Sequence, residues 1–306
     1  MIAAKKCNGV LYNPRLQVCD NDELTSQLPC GSETYNISTQ FCHNEQVYDL
    51  CGLTSYNPDK QECINGSVEY QYNIVYGSEK ARLSNDEFYV VNKDGDTIAV
   101  DMGITSSKNG GKLYIATGNL IVRQDGSAYI PNDPGYIPAS RFYSDKGGEW
   151  DLFGWADTSG RKTSTDLADY PSATPPTEIS GIVRYDIATW KLGGSWRLPT
   201  GEELNNLADE GNSKITSRLL NKTNPGRLWN NSELGTTLFI PFAGDRYGTS
   251  SRHVGTDARL WSSTLNTSTT AAAYSLDVNA TTTKQEENFH RYDGRTVRPV
   301  LEILEN

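Results

Sequence analysis

Past residue 63 this 306-residue chain has no cysteine, so the greater part of it can neither hold a disulfide nor present a thiol to a metal or substrate. Histidine is almost as scarce. His43, His253 and His290 are the only three, none has a companion at metal-ligand spacing, and no His-Glu-x-x-His or phosphate-cradling glycine loop occurs. No apolar run approaches the length of a membrane span. Basic tracts are also missing: 28 lysines and arginines face 38 acidic residues, and a net charge of -10 with a pI near 4.9 disfavours nucleic acid as a partner. No apolar stretch follows Met1, so an extracellular destination implies either a leader already removed or release by another route, such as within a virus particle.

The six cysteines that are present, Cys7, Cys19, Cys30, Cys42, Cys51 and Cys63, crowd a polar opening segment. An even count in such a segment reads as a disulfide framework formed in an oxidising environment. Zinc is the alternative, but its ligands sit two to four residues apart, whereas these pairs are separated by eleven. Between the paired cysteines the segment repeats three times, with Tyr12-Asn13 and Gln17, Tyr35-Asn36 and Gln40, and Tyr56-Asn57 and Gln61 at the same offsets. The offsets predict a small hairpin in each copy, a strand ending at the tyrosine, a turn at the asparagine and a return strand carrying the glutamine to the second cysteine. Repeat symmetry favours Cys7 with Cys19, Cys30 with Cys42 and Cys51 with Cys63 among the fifteen pairings that six cysteines allow. Each closed loop contributes about 3 kcal/mol to a unit too small to bury a core. The copies are expected to stack as a stalk, with the tyrosines either packed on the disulfides of a spacer or displayed as a strip for sugar or peptide. Residues 1–66 are thus three repeats, 67–83 a linker and 84–306 a second domain.

The second domain is centred on Gly193-Gly194-Ser195-Trp196-Arg197-Leu198-Pro199-Thr200-Gly201-Glu202-Glu203-Leu204. Thr200 and Glu203 form a capping box, which starts a helix over 200–209 with Leu204, Leu207 and Ala208 as its apolar stripe and Trp196 and Leu198 folded back over its first turn. Upstream, Phe88-Tyr89-Val90-Val91 and Thr97-Ile98-Ala99-Val100 read as one hairpin, and a second follows with Leu113-Tyr114-Ile115-Ala116, then Leu120-Ile121-Val122-Arg123, a turn at Gln124-Asp125-Gly126, and Ala128-Tyr129-Ile130. Six prolines break up residues 131–195, where Trp150-Asp151-Leu152-Phe153-Gly154-Trp155 is expected to plug a local core or to offer a stacking surface. Ile215-Leu220 reads as a second helix, Leu238-Gly244 as a buried strand, and the tail as short strands, of which the last, near 296–303, is placed to pair with the hairpin near 88.

Little here points to catalysis. Ser262-Ser263 with His290 lacks a nucleophile elbow, Asp245 with Asp257 is an ordinary carboxylate pair in an acidic chain, and Glu202-Glu203 is explained by the helix start. No cofactor is implied, although calcium held by Asp, Asn and carbonyl oxygens stays open. The stretch from Gly244 to Asp293, dense in Thr, Ser, Asn, Tyr, Arg and His, has the composition of recognition loops on a strand scaffold or of solvated loops.

Taken in order, Gly118-Asn119-Leu120, Asp151-Leu152-Phe153-Gly154-Trp155, Trp196-Arg197-Leu198-Pro199-Thr200, Leu260-Trp261-Ser262-Ser263 and Arg295-Thr296-Val297-Arg298 make residues 84–303 resemble the Fibrobacter succinogenes major paralogous domain, found in gut Bacteroidetes and their phages. The resemblance implies an α+β fold, a C-type lectin-like domain with small antiparallel sheets and long loops, preceded by disulfide-rich β-hairpin repeats. Formylglycine-generating enzymes share the Trp-Arg-Leu-Pro-Thr box, but they use carboxy-terminal cysteines that this chain lacks. The calcium-binding Glu-Pro-Asn or Gln-Pro-Asp box of sugar-binding C-type lectins is absent too. The expected function is a non-enzymatic, surface-exposed binding protein that contacts a glycan or protein receptor through Arg252, His253, Tyr274, His290 and Arg291. Trp155, Trp196, Arg197, Leu198, Thr200, Glu203 and Trp261 are expected to be structural. The alternatives are a structural virion component, such as a decoration or fibre protein, and, at low weight, a hydrolase. The expected setting is extracellular, on a bacterial surface or phage particle, beside other virion or surface proteins, and a repeat stalk with a head is compatible with homo-oligomers.

Overall fold

The computed structural model describes residues 5–14, 17–144, 147–170, 175–209, 213–221 and 223–304, and the chain divides into two compact units, Met1–Gln71 and Tyr72–Asn306.

In the first unit the disulfides close within each repeat, Cys7 to Cys19, Cys30 to Cys42 and Cys51 to Cys63. The strands pair differently from the sequence expectation. Hairpins form across the cysteines rather than between them: Lys5–Cys7 with Val10–Tyr12, Val18–Asp20 with Glu23–Thr25, Gln27–Cys30 with Glu33–Asn36, Gln40–His43 with Gln46–Asp49, and Gln61–Ile64 with Ser67–Tyr70. The cause is turn chemistry, because Asn8-Gly9, Asn21-Asp22, Asn44-Glu45 and Asn65-Gly66 all take positive φ, the conformation that a two-residue hairpin turn requires. The first two disulfides therefore tie the turn end of one hairpin to the next hairpin, and the third ties Cys51, which bridges Thr54, to the hairpin at Gln61–Ile64. The recurring asparagine and glutamine staple the loop in between. Asn36 Oδ1 accepts the Ser38 amide and Gln40 Oε1 accepts the Asn36 amide (3.0 and 3.1 Å), and Asn57 and Gln61 repeat both bonds at 3.0 Å. Backbone bonds from Ile37 to Ser26, Leu50 to Thr39 and Gln71 to Lys60 tie the loops to the segments beside the copies, and Phe41 of the second copy meets Tyr56 of the third edge-on at 5.2 Å.

The second unit corrects the α+β, C-type lectin-like expectation. The chain is 45% strand and 6% helix, and the main element is a seven-stranded antiparallel sheet that nearly closes on itself as a barrel. Its order is Ile74–Tyr76, Glu79–Leu83, Tyr89–Val91, Thr97–Thr105, Lys112–Ala116, Val300–Ile303, Trp196–Arg197. The two edge strands meet through side chain and turn: Trp196 Nε1 donates to the Val75 carbonyl at 2.9 Å, and the Gly77 amide donates to the Leu192 carbonyl at 2.7 Å. Residues 74–83, read from sequence as linker, thus supply two strands of this sheet.

Both faces of the sheet are covered. Side chains alternate along Lys112–Ala116, so that Tyr114 and Ala116 join one apolar cluster with Val90, Ile98, Trp196 and Leu301, while Leu113 and Ile115 join the other with Val100, Met102, Trp229, Leu238 and Val300. The helix Gly201–Ala208 presents Leu204 and Leu207 to the second cluster, whereas Trp196 and Leu198 belong to the first. They do not fold back over the helix.

The helix is only eight residues long, and Ile187–Leu192 has six. The capping box is present, with Thr200 Oγ1 accepting the Glu203 amide and Glu203 Oε2 accepting the Thr200 amide (3.2 and 2.9 Å). Glu203 also receives both Arg197 Nη atoms at 2.7 and 2.8 Å. The pair is nearly dry, with Arg197 4% and Glu203 2% exposed.

Two local readings also change. Ile215–Leu220 is a strand, held in register by Gly226–Asn231 and, through it, by Thr236–Pro241. The hairpin with its turn at Gln124-Asp125-Gly126 forms, Ile121 opposite Tyr129 and Val122 opposite Ala128, with Glu149–Trp150 as a third strand, but Lys112–Ala116 is not part of it and lies in the large sheet between Thr97–Thr105 and the final strand.

Candidate functional site

Between Ala243 and Asp257 the chain folds into a short hairpin, Asp245–Tyr247 against Ser250–Arg252. Gly244 opens it at φ 70°, where a Cβ would stand 2.1 Å from the Arg252 carbonyl oxygen, so only glycine fits. The hairpin is fixed from below. Arg246 is fully buried, its backbone bridges to Gly294, and its guanidinium donates to the carbonyls of Leu152, Gly248, Tyr292 and Lys162. Beside it Arg141 makes a bidentate pair with buried Asp151 (2.7 and 3.1 Å) and donates to the Ala243 carbonyl at 2.6 Å, which ties the hairpin to the Trp150–Trp155 segment. Trp155 and Trp261 cross-brace that segment, Trp155 Nε1 donating to the Ser262 carbonyl and Trp261 Nε1 to the Phe153 carbonyl. Trp150, Leu152, Phe153 and Trp155 are all buried.

On this base a buried carboxylate gathers three side chains. Asp245 takes Arg252 Nη2 at 2.5 Å, His253 Nδ1 at 2.6 Å and Arg259 Nη1 at 3.4 Å. His253 adopts φ 58°, the left-handed conformation that turns the chain out of the hairpin. Arg252 also lies 5.3 Å from the Tyr247 ring centroid and 3.7 Å from buried Asp293. Burial raises the Asp293 carboxyl above its usual range, with the charges of Arg295 and Arg252 pulling the other way. The Arg246–Gly294 bridge brings Tyr247 to the end of the strand Thr283–His290, and a row of rings results. Tyr247 meets Tyr292 edge-on at 6.1 Å, and Tyr292 stacks on His290 at 4.7 Å with 13° between planes. Tyr247 is 47% exposed, His290 and His253 are exposed, and Arg252 and Tyr292 are half-buried.

Three of the five residues expected from sequence to meet a ligand, Arg252, His253 and His290, are therefore part of one surface. Tyr274 is not. It lies half-buried on the strand Ala272–Asn279, and its backbone carbonyl accepts the Ser262 hydroxyl. Arg291 is a correction: it is fully buried, its guanidinium 5.8 Å from the Trp155 ring, and burial alone lowers its affinity for a proton. It packs the core and cannot face a ligand. Sequence reasoning missed Asp245, Tyr247, Tyr292 and Asp293 as members of the cluster. Only the spacing of His290 and Tyr292, two residues apart and so on one side of an extended chain, offered a signal.

Groups considered for chemistry are occupied elsewhere. Ser262 and Ser263 are fully buried and donate to the carbonyls of Tyr274 and Pro199, while His290 is exposed beside Tyr292. Asp257 accepts the Thr256 hydroxyl, apart from the Asp245 cluster. Among the described residues no group of three or more His, Cys, Asp or Glu is arranged to hold a metal, and no helix is long and apolar enough to cross a membrane. Comparison with family models, curated proteins and solved structures gives no match to the chain.

Proposed function

We propose that this is a non-enzymatic binding protein that contacts a glycan or protein receptor through the surface formed by Tyr247, Arg252, His253, His290 and Tyr292. The observation that carries the reading is the row of Tyr247, Tyr292 and His290 beside Arg252. Three rings and a guanidinium stand at the surface while the residues beneath them, Asp245, Arg246 and Asp293, are buried and fixed. Rigid aromatic side chains give contact area at low entropic cost, and tyrosine and arginine dominate the energetics of recognition surfaces. Disulfide repeats in an acidic chain fit an extracellular setting, on a cell or a virion surface.

Binding of the full chain to a glycan array and to immobilised surface proteins tests this directly. The triple variant Tyr247→Ala, Arg252→Ala, His290→Ala is expected to lose at least about 100-fold in affinity for any ligand found, since two or more hot-spot side chains are removed. Unchanged binding by that variant would refute the assignment.

A further inference from the structure

A cleft of about 460 Å³ shares no residue with the ring row; it lies between the turn Asn92–Asp96 and the segment from Arg123 to Tyr136. One wall is already balanced in charge. Arg123 Nε donates to Glu149 Oε1 at 2.9 Å and its guanidinium covers the Tyr129 ring at 3.9 Å. The hydroxyls of Tyr129 and Tyr136 both donate to Glu149 Oε2, at 3.0 and 2.9 Å. These phenols are spent as donors and offer the cleft their oxygen lone pairs and ring edges.

The rest of the lining is rich in acceptors. Glu79, Asp94, Asp96 and Asp133 line the cleft, and the only guanidinium there, Arg123, is paired with Glu149. Asn92 shapes this side, its Oδ1 accepting the amides of Asp94 and Asp96 at 3.0 and 2.9 Å. Tyr76 breaks the pattern. It is 8% exposed, lines the cleft, and accepts the Ile130 amide at 2.6 Å, yet its own hydroxyl proton has no acceptor among the described residues. Burial holds the phenol up to about 12, so the proton is present at any physiological pH. A buried hydroxyl of this kind asks for an oxygen acceptor.

The lining therefore suits a ligand that donates to several carboxylates and accepts from one hydroxyl. An ammonium group only donates and a metal ion only takes lone pairs, so either leaves the Tyr76 hydroxyl proton without an acceptor. Adjacent hydroxyls of a sugar ring do both, and the volume falls in the range of small-ligand sites. We propose that this cleft is a second binding site, for a neutral saccharide of one or two rings.

The test is an NMR titration of the 15N-labelled full chain with glucose, galactose, N-acetylglucosamine, maltose and lactose, and separately with spermidine and with calcium chloride. The expected result is saturable shifts at the amides of Asp94, Asp96 and Ile130, the last being bonded to Tyr76, with at least one neutral sugar at millimolar affinity. Asp96→Asn weakens that sugar by about 3- to 10-fold, the effect of one hydrogen bond, with no change in thermal midpoint, and Tyr76→Phe weakens it as much while lowering the midpoint, because the Ile130 amide loses its acceptor. The Tyr247, Arg252, His290 triple variant keeps these shifts, so failure of the ring row and failure of the cleft are read separately. Spermidine or calcium shifting these amides while every sugar leaves them unmoved, silence with all probes, or undiminished sugar binding by Tyr76→Phe would each overturn the proposal.

Discussion

Glu203→Ala is expected to destabilise the larger unit by about 3–5 kcal/mol, the cost of leaving a buried cation without its partner. Glu203 is 2% exposed and closes three functions at once. It accepts both Arg197 Nη atoms, completes the capping box with Thr200, and accepts the Ser107 amide at 3.1 Å. Arg197 has other acceptors in Ser106 Oγ and the Leu198 carbonyl, but the nearest remaining carboxylate, Glu302, is 3.5 Å away. The loss is read by urea denaturation with tryptophan fluorescence, which reports the larger unit alone because all six tryptophans lie at or after residue 150. A drop below about 1 kcal/mol would place the pair among ordinary surface ion pairs. A pH dependence follows. Burial opposes ionisation of Glu203, but the hydrogen bonds and charge of Arg197 overcome it and hold the carboxyl below its ordinary 4.5. The folded state therefore binds this proton less readily than the unfolded state. The stabilisation is complete above pH 4.5 and is lost as pH falls through the lower folded value. In Glu203→Gln this acid-side slope should be shallower.

Reduction of the three disulfides is expected to unfold the first unit while leaving the second intact. Among its described apolar side chains only Cys7, Cys30 and Cys51 are buried, so the bridges themselves are its core. Removing a native bridge from a small domain costs about 2–5 kcal/mol, and three such losses exceed what short hairpins supply. Limited proteolysis of the reduced and alkylated chain checks this. Cleavage should concentrate before residue 72, and the tryptophan-detected melt should match that of the oxidised chain, because no cysteine lies beyond Cys63. Protease resistance of the reduced repeats would show that turn and staple bonds suffice without the bridges.

What was legible in the sequence was local or periodic. The capping box at Thr200 and Glu203 depends on residues three apart, and the cysteine pairing on a repeat visible three times. What was not legible depends on partners far along the chain. Asn8-Gly9 and Asn65-Gly66 compete with the turn at the repeat asparagine, and the competition is decided by which strands pair. Ile215–Leu220 carries enough leucine to read as helix, yet its conformation is set by six cross-strand partners from Gly226 to Asn231. The capping box and the Leu204, Leu207, Ala208 stripe marked the helix over 200–209, found as Gly201–Ala208, but not its small weight in the fold, and so the helix-containing architecture was overestimated. Glu203 looked like a cap only, because nothing local reveals that Arg197, on the closing strand of the sheet, points at it. The ring row is the extreme case. Tyr247 and Tyr292 meet only because Arg246 bridges to Gly294, where a Cβ would stand 2.1 Å from the Arg246 side chain.

The central claim is that recognition and stability reside in different side chains of the larger unit. It is tested most directly by measuring receptor affinity and tryptophan-detected stability together for Tyr247→Ala with His290→Ala. The expected result is lost binding with stability within about 0.5 kcal/mol of the parent, as for surface positions. Retained binding, or a stability loss on the scale expected for Glu203→Ala, would contradict it.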